Sequence, residues 1–328
     1  NNFQKSEELL NTNYQNNMNT DSQFIAKNGK IIAFVGTSKN GTSFIVNNLA
    51  ELLSQKGIKT AILDLTKNKN SYYMFTDNDQ RLMSTATNSI KNLIRGNISG
   101  VEVNKNLTVF TSLPGDDQEL ENVDMVLQNL DNNYSAILMD CDFETNINYF
   151  VKSTEIYLVQ SMDALTIQPL TLFLSELKLK NSLDERKLRV IINKEMKLKV
   201  LNDKMILGGM AKYNEPSMTL QRDLFDPNTI KYISIPFEEQ TYARYIEAIA
   251  LCKVSLNGYS ERFLNSLQEL ANMVYPLLNS GGSQNYSGYS PEYNKAKKGF
   301  FGGKNKSQTS TQFSSGVNGT LNKMRTNY

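Results

Sequence analysis

Gly36 and Gly41, followed at once by Thr42 and Ser43, are the residues whose types and spacing point most directly to chemistry. They sit between an apolar run, Ile31–Val35, and a stretch with helical spacing of apolar residues. A glycine loop in that place aims backbone N–H groups and the positive end of a helix at phosphate oxygens. The spacing is that of the phosphate-binding loop G-x-x-x-x-G-K-[ST], with Thr42 standing where the lysine belongs. Ser43 takes the position whose hydroxyl ligates Mg2+ in such loops, and the missing lysine is the group that carries charge to the outer phosphates. Thr37, Ser38, Lys39 and Asn40 fill the loop, where Lys39 would bring a charge from another direction or stand solvated. The same residues also suit a plain strand-to-helix turn capped by Thr42 or Ser43.

Two acids stand behind the loop. Asp64 ends the apolar stretch that begins at Thr60, and Asp140 ends Ala136–Asp140. A carboxylate at the end of such a strand holds Mg2+, directly or through water, or orients an attacking water. Asp142 is a second acid beside the metal position. Each acid also has a structural reading, as a cap for the turn that follows its strand.

The elements that must position these groups alternate along the chain. Strands are expected at Ile31–Val35, Thr60–Leu65, Leu107–Ser112, Ala136–Asp140, Glu155–Gln160, Leu188–Asn193 and Ile230–Ile235. Helices are expected at Ser43–Lys56, Ser84–Arg95, Glu119–Leu130, Thr166–Leu179, Thr241–Ala250 and Tyr259–Leu278. This order predicts an α/β fold, a mostly parallel sheet with helices on both faces. Ligands in such folds lie beyond the carboxyl ends of the strands, where Asp64, Asp140 and Asn193 all fall.

The chain divides by composition into a polar linker over residues 1–28, one α/β domain over 29–279 and a basic tail over 280–328. The whole chain carries +2; from Gly281 onward seven Lys/Arg face one acid, so the rest is near −4. Linker and tail read as disordered. The balance of the folded part speaks against a nucleic-acid-binding domain, while the tail suits weak, salt-sensitive contact with membrane or nucleic acid. Histidine is absent and the two cysteines, Cys141 and Cys252, form no metal-spaced pair, which excludes a His-based triad and a zinc site. Two free thiols and the lack of a long apolar run predict a cytoplasmic protein, with peripheral attachment to the inner face of the membrane left open.

Taken in order, the glycine loop, Asp64, the Leu113-Pro114-Gly115 turn, Asp140, the Asn193-Lys194 pair and the Ile235–Glu238 stretch resemble the MinD/ParA family of deviant P-loop ATPases. Threonine in place of the loop lysine is similar to the TadZ/CpaE branch, which serves pilus assembly. The resemblance implies a P-loop NTPase fold, ATP and Mg2+ as cofactors, a homodimer and protein partners in a membrane-associated assembly. It implies that Asn193 reads the adenine, Pro236 lines the base pocket, Ser43 and Asp140 hold the metal, and Asp64 and Asp140 serve catalysis. The family's signature lysine is Thr37 here, its glycine pair is Ser38-Lys39, and the second acid after the second strand is Thr66. With both lysines replaced, weak nucleotide binding and slow or absent hydrolysis are expected. Two alternatives carry different chemistry: a scaffold that has lost its nucleotide, and a kinase-like enzyme acting on the tail tyrosines Tyr286, Tyr289 and Tyr293.

Overall fold

The computed structural model describes residues 29–77, 79–116, 118–215 and 221–276. The polar linker, the basic tail and its tyrosines lie outside the described residues.

The chain begins with β1 (Lys30–Val35), α1 (Thr42–Gln55), β2 (Thr60–Asp64), α2 (Asn70–Thr76) and α3 (Gln80–Ile94). Next come β3 (Val101–Asn104), β4 (Leu107–Phe110), α4 (Val123–Asp131), β5 (Ala136–Cys141) and α5 (Ile147–Lys152). They are followed by β6 (Glu155–Gln160), α6 (Ile167–Leu179), β7 (Leu188–Glu195), α7 (Asp203–Met210), β8 (Lys212–Asn214) and β9 (Gln221–Asp223). β10 (Lys231–Pro236), α8 (Glu239–Ala250) and α9 (Glu261–Val274) close the domain.

Among the described residues the main sheet has eight strands in the order β10-β7-β6-β1-β5-β2-β4-β3. All neighbours run parallel except β3, which pairs antiparallel with β4 at the edge. Strand alternation builds two cores. Ala33 and Val35 of β1 point into a cluster completed by α4, α5, α6 and α7. Ile32 and Phe34 point into the other, completed by α1, α2, α8 and α9. The glycine loop follows the central strand β1, at the carboxyl end of the sheet where ligands of such folds lie.

Element ends follow local chemistry. α3 starts four residues before the expected Ser84 because the Asp79 side chain caps the Arg81 and Leu82 amides. The expected helix Glu119–Leu130 is divided into a 3-10 turn at Gln118–Glu121 and α4, with Asn122 at ψ 54° between them. α9 stops at Val274 rather than Leu278, since Tyr275 precedes Pro276 and turns extended at φ −136°. The short helices α2, α5 and α7, the edge strand β3 and the β8–β9 hairpin are additions to the expected plan.

Candidate functional site

The loop after β1 is shaped by what lies around it. A Cβ on Gly36 would stand 2.3 Å from the Val159 carbonyl oxygen, so β6 admits no side chain there. Gly41 is left-handed at φ 91°, and a Cβ on it would stand 2.4 Å from Asn193 Nδ2. Two carbonyls of the loop are drawn outward: Asn193 Nδ2 donates to the Asn40 carbonyl at 2.8 Å and Lys194 Nζ to the Lys39 carbonyl at 2.9 Å. The Asn40 side chain is buried behind the loop, donating to Gln160 Oε1 at 3.3 Å and accepting from Ser161 Oγ at 2.8 Å. The Thr37 hydroxyl donates to the Thr166 carbonyl at 2.7 Å. The loop is thus bolted to the segment after β6. Among the described residues no protein acceptor meets the amides of Gly41, Thr42 and Ser43, which is the state in which a helix N-terminus takes up an anion.

The two acids stand opposite one another on neighbouring strands, Asp64 of β2 in register with Asp140 of β5. Asp64 Oδ1 accepts from the Thr66 amide at 3.0 Å and the Thr66 hydroxyl at 2.7 Å. Its Oδ2 accepts from the Ser71 amide at 3.0 Å and the Thr111 hydroxyl at 3.4 Å. Asp140 is equally buried, yet its Oδ1 has no hydrogen-bond partner among the described residues. Burial first, then the nearby Asp64 charge, pushes the Asp140 carboxyl up to about 8, with a hydrogen bond from Ser43 opposing the rise and Asp142 adding to it. An orphaned carboxylate oxygen beside a serine hydroxyl suits a hard divalent cation, whose charge would return Asp140 to its ionised form. Mg2+ therefore fits these donors.

The loop, Asp140, Asn193 and Pro236 line one cavity of about 770 Å³. Gly36, Thr37, Ser38, Lys39, Gly41, Thr42 and Ser43 all face it. Asn40 and Asp64 do not: the first is turned inward as the bolt of the loop, and the second is used up by Thr66, Ser71 and Thr111. Their side chains brace the loop and the turn after β2. Asn193 is 1% exposed and its amide holds the Asn40 carbonyl.

Several lining residues carried no sequence signal. Phe44, Tyr242, Tyr245 and Phe263 form an aromatic wall, with Phe44 edge-on to Tyr245 at 4.7 Å between ring centres and to Phe263 at 5.6 Å. The loops after β2 and β5 are tied across the cavity mouth. The Lys67 amide donates to Asp142 Oδ2 at 2.6 Å, and Lys67 Nζ pairs with Glu144 at 2.9 Å. Only Phe44, three residues past Gly41, was within reach of a motif argument; the others come from distant segments. Cys141 is buried and Cys252 half-buried, and burial raises the Cys141 thiol well above its ordinary value. No helix of the described residues is long and apolar enough to cross a membrane.

The fold and its loop define a class, the P-loop α/β proteins of ParA/MinD architecture. A plasmid partition protein of Borrelia burgdorferi B31 bound to AMPPNP is similar over 75% of this chain and 98% of that chain, with a TM-score of 0.51 and 17% identity. MinD of Aquifex aeolicus covers 75% of this chain and 96% of its own, with a TM-score of 0.54 and 12% identity. MinD of Pyrococcus horikoshii OT3 in complex with Mg-ADP gives 0.51 and 15% identity over 75% of this chain and 96% of that chain. No protein-family model and no curated protein matches the sequence. At these identities the similarity is one of fold.

Proposed function

We propose that this chain is an ATP-binding switch of the MinD/ParA type whose loop has given up its lysines and with them most of its hydrolytic rate. One observation carries the reading: Asp140, whose buried Oδ1 lacks a partner among the described residues, and the loop residues with unpaired amides line the same cavity, the first suited to a cation and the second to an anion. Mg2+ held at Ser43 and Asp140 would supply charge neutralisation between phosphate oxygens. The rest falls to the chain. The amides of Gly41, Thr42 and Ser43 cradle phosphate, and the aromatic wall with Pro236 and Asn193 receives the base. Thr37 and Thr42 bring hydroxyls where the family brings ammonium groups. Loss of one preorganised donor costs on the order of 10²–10³ in rate, so the bound state outlives its chemistry.

A protein that binds a nucleotide and turns it over slowly serves as a switch or scaffold. The likeness of its loop to the TadZ/CpaE branch supports a spatial organiser or assembly factor for a pilus, secretion or conjugation machine. It would act as a homodimer in the cytoplasm, with protein partners at the inner face of the membrane. Calorimetry of the full chain with Mg·ATP and Mg·ADP tests the site. Binding that disappears in Asp140→Ala and Gly41→Asp supports it. No binding at millimolar nucleotide would leave a scaffold that has kept only the fold. Turnover near ~1 s⁻¹, abolished in Asp140→Ala, would overturn the slow-hydrolysis part.

A further inference from the structure

We propose that the Lys194 ammonium is the positive charge this site offers to phosphate in place of the lysines missing at Thr37 and Thr42. The inference rests on the nucleotide reading above and names the residue that makes it workable.

A polyphosphate entering this cavity meets Asp140, Asp142, Glu144 and Glu238 along its walls, so a counter-charge from the protein is needed beside the metal. Among the described residues three lysines line the same cavity: Lys39, Lys67 and Lys194. They differ in how they are held. Lys39 is an exposed side chain on the loop itself. Lys67 pairs with Glu144, both side chains about two-thirds exposed at 64% and 66%, which commits its charge to the latch between two loops. Lys194 is half-buried and fixed at both ends. Its backbone is left-handed at φ 56°, as is that of Lys39 at φ 71°, so the two lysines differ in their side-chain contacts and not in backbone. Its Nζ donates to the Lys39 carbonyl at 2.9 Å and lies 5.9 Å from the centre of the Tyr242 ring.

That geometry leaves work for the ammonium. Of its three N–H donors the Lys39 carbonyl takes one, and the Tyr242 face favours the charge without consuming a donor. The ammonium therefore stands at the rim of the loop, held over the Lys39 carbonyl and beside the Tyr242 ring. Lys194, left-handed within β7, reaches from the strand to the Lys39 carbonyl of the loop. A group held before the ligand arrives loses little freedom on binding it, which is where a preorganised donor gains over the exposed Lys39. The ligand class follows: phosphorylated nucleosides gain from Lys194, and the bare nucleoside does not.

The test is calorimetry of the full chain with Mg·ATP, Mg·ADP and adenosine. Lys194→Asn keeps a residue that tolerates the left-handed backbone and removes the charge; Lys194→Gly relieves that backbone altogether and repeats the test if the asparagine variant melts early. Both should weaken ATP and ADP about tenfold or more, as loss of a charged hydrogen bond does, and leave adenosine unchanged. Lys194→Arg should stay near wild type, and Lys39→Ala should change affinity less than Lys194→Asn. Undiminished ATP binding in Lys194→Asn and Lys194→Gly overturns the inference, as does an equal loss for ATP and adenosine, which would mean a structural role. Wild-type protein that binds no nucleotide overturns this inference and the nucleotide reading together; wild-type binding with unaffected variants overturns this one alone.

Discussion

Asp64 and Asp140 are neighbours in register, both closed off from water, and opposite in condition. Asp64 has four donors from Thr66, Ser71 and Thr111 and holds the turn after β2 in shape. Asp140 has the Ser43 hydroxyl and an oxygen with nothing to accept from. A buried carboxylate that is satisfied belongs to the architecture; one left wanting belongs to what the architecture is for. The same residue type at the same height of the same sheet thus separates into scaffold and site.

Substitution should show that separation first as a difference in sign. Asp64→Ala strands buried donors and should lower stability by about 3 kcal/mol in urea denaturation; a loss below about 1 kcal/mol would erase the contrast. Asp140→Asn should do the reverse in nucleotide-free protein and raise the melting temperature by several degrees, while removing Mg2+ dependence from nucleotide binding. A melting temperature that falls would mean Asp140 is already satisfied. The third prediction concerns pH. The Asp140 carboxyl, lifted from 3.8 to about 8, keeps a proton that the unfolded chain has released. The folded state therefore binds more protons across that window. This group's contribution to stability is full at the acidic end and is lost as pH rises through about 8. Nucleotide-free melting curves should show this slope, and Asp140→Asn should remove it; an unchanged slope assigns it elsewhere. The smallest effect is expected of Thr66→Val, which takes one of the four donors from Asp64 and leaves the backbone amide, at a cost of about 1 kcal/mol. A cost equal to that of Asp64→Ala would show that the hydroxyl alone organises the turn.

Much of this frame was legible in advance because buried parallel strands announce themselves as apolar runs. β1, β2, β5, β6 and β7 all lie where such runs occur. β3 was not legible: its Val101-Glu-Val-Asn104 carries two apolar residues, and only pairing with β4 makes it a strand. α2 is short, and both its flanking residues, Lys69 and Asp77, are left-handed without being glycine. Lys69 itself is wholly enclosed, with Nζ on the Thr66 carbonyl at 2.7 Å, which nothing in a polar loop composition suggests. In the site, glycine spacing located the loop correctly on the chain. What it could not convey is that Asn40 turns inward, because its partners Gln160 and Ser161 lie 120 or more residues downstream. The expected adenine contact of Asn193 likewise said nothing of its hold on the Asn40 carbonyl.

The bolted loop has a kinetic consequence. Many phosphate-binding segments close only around their ligand, and the search for order then limits the rate of capture. Here Thr37, Asn40, Gln160 and Ser161 hold the loop through bonds within the protein. Association should therefore appear as a single phase whose rate climbs in proportion to nucleotide concentration, without the plateau of a rearrangement. Residence time would then be set by how tightly phosphate is gripped.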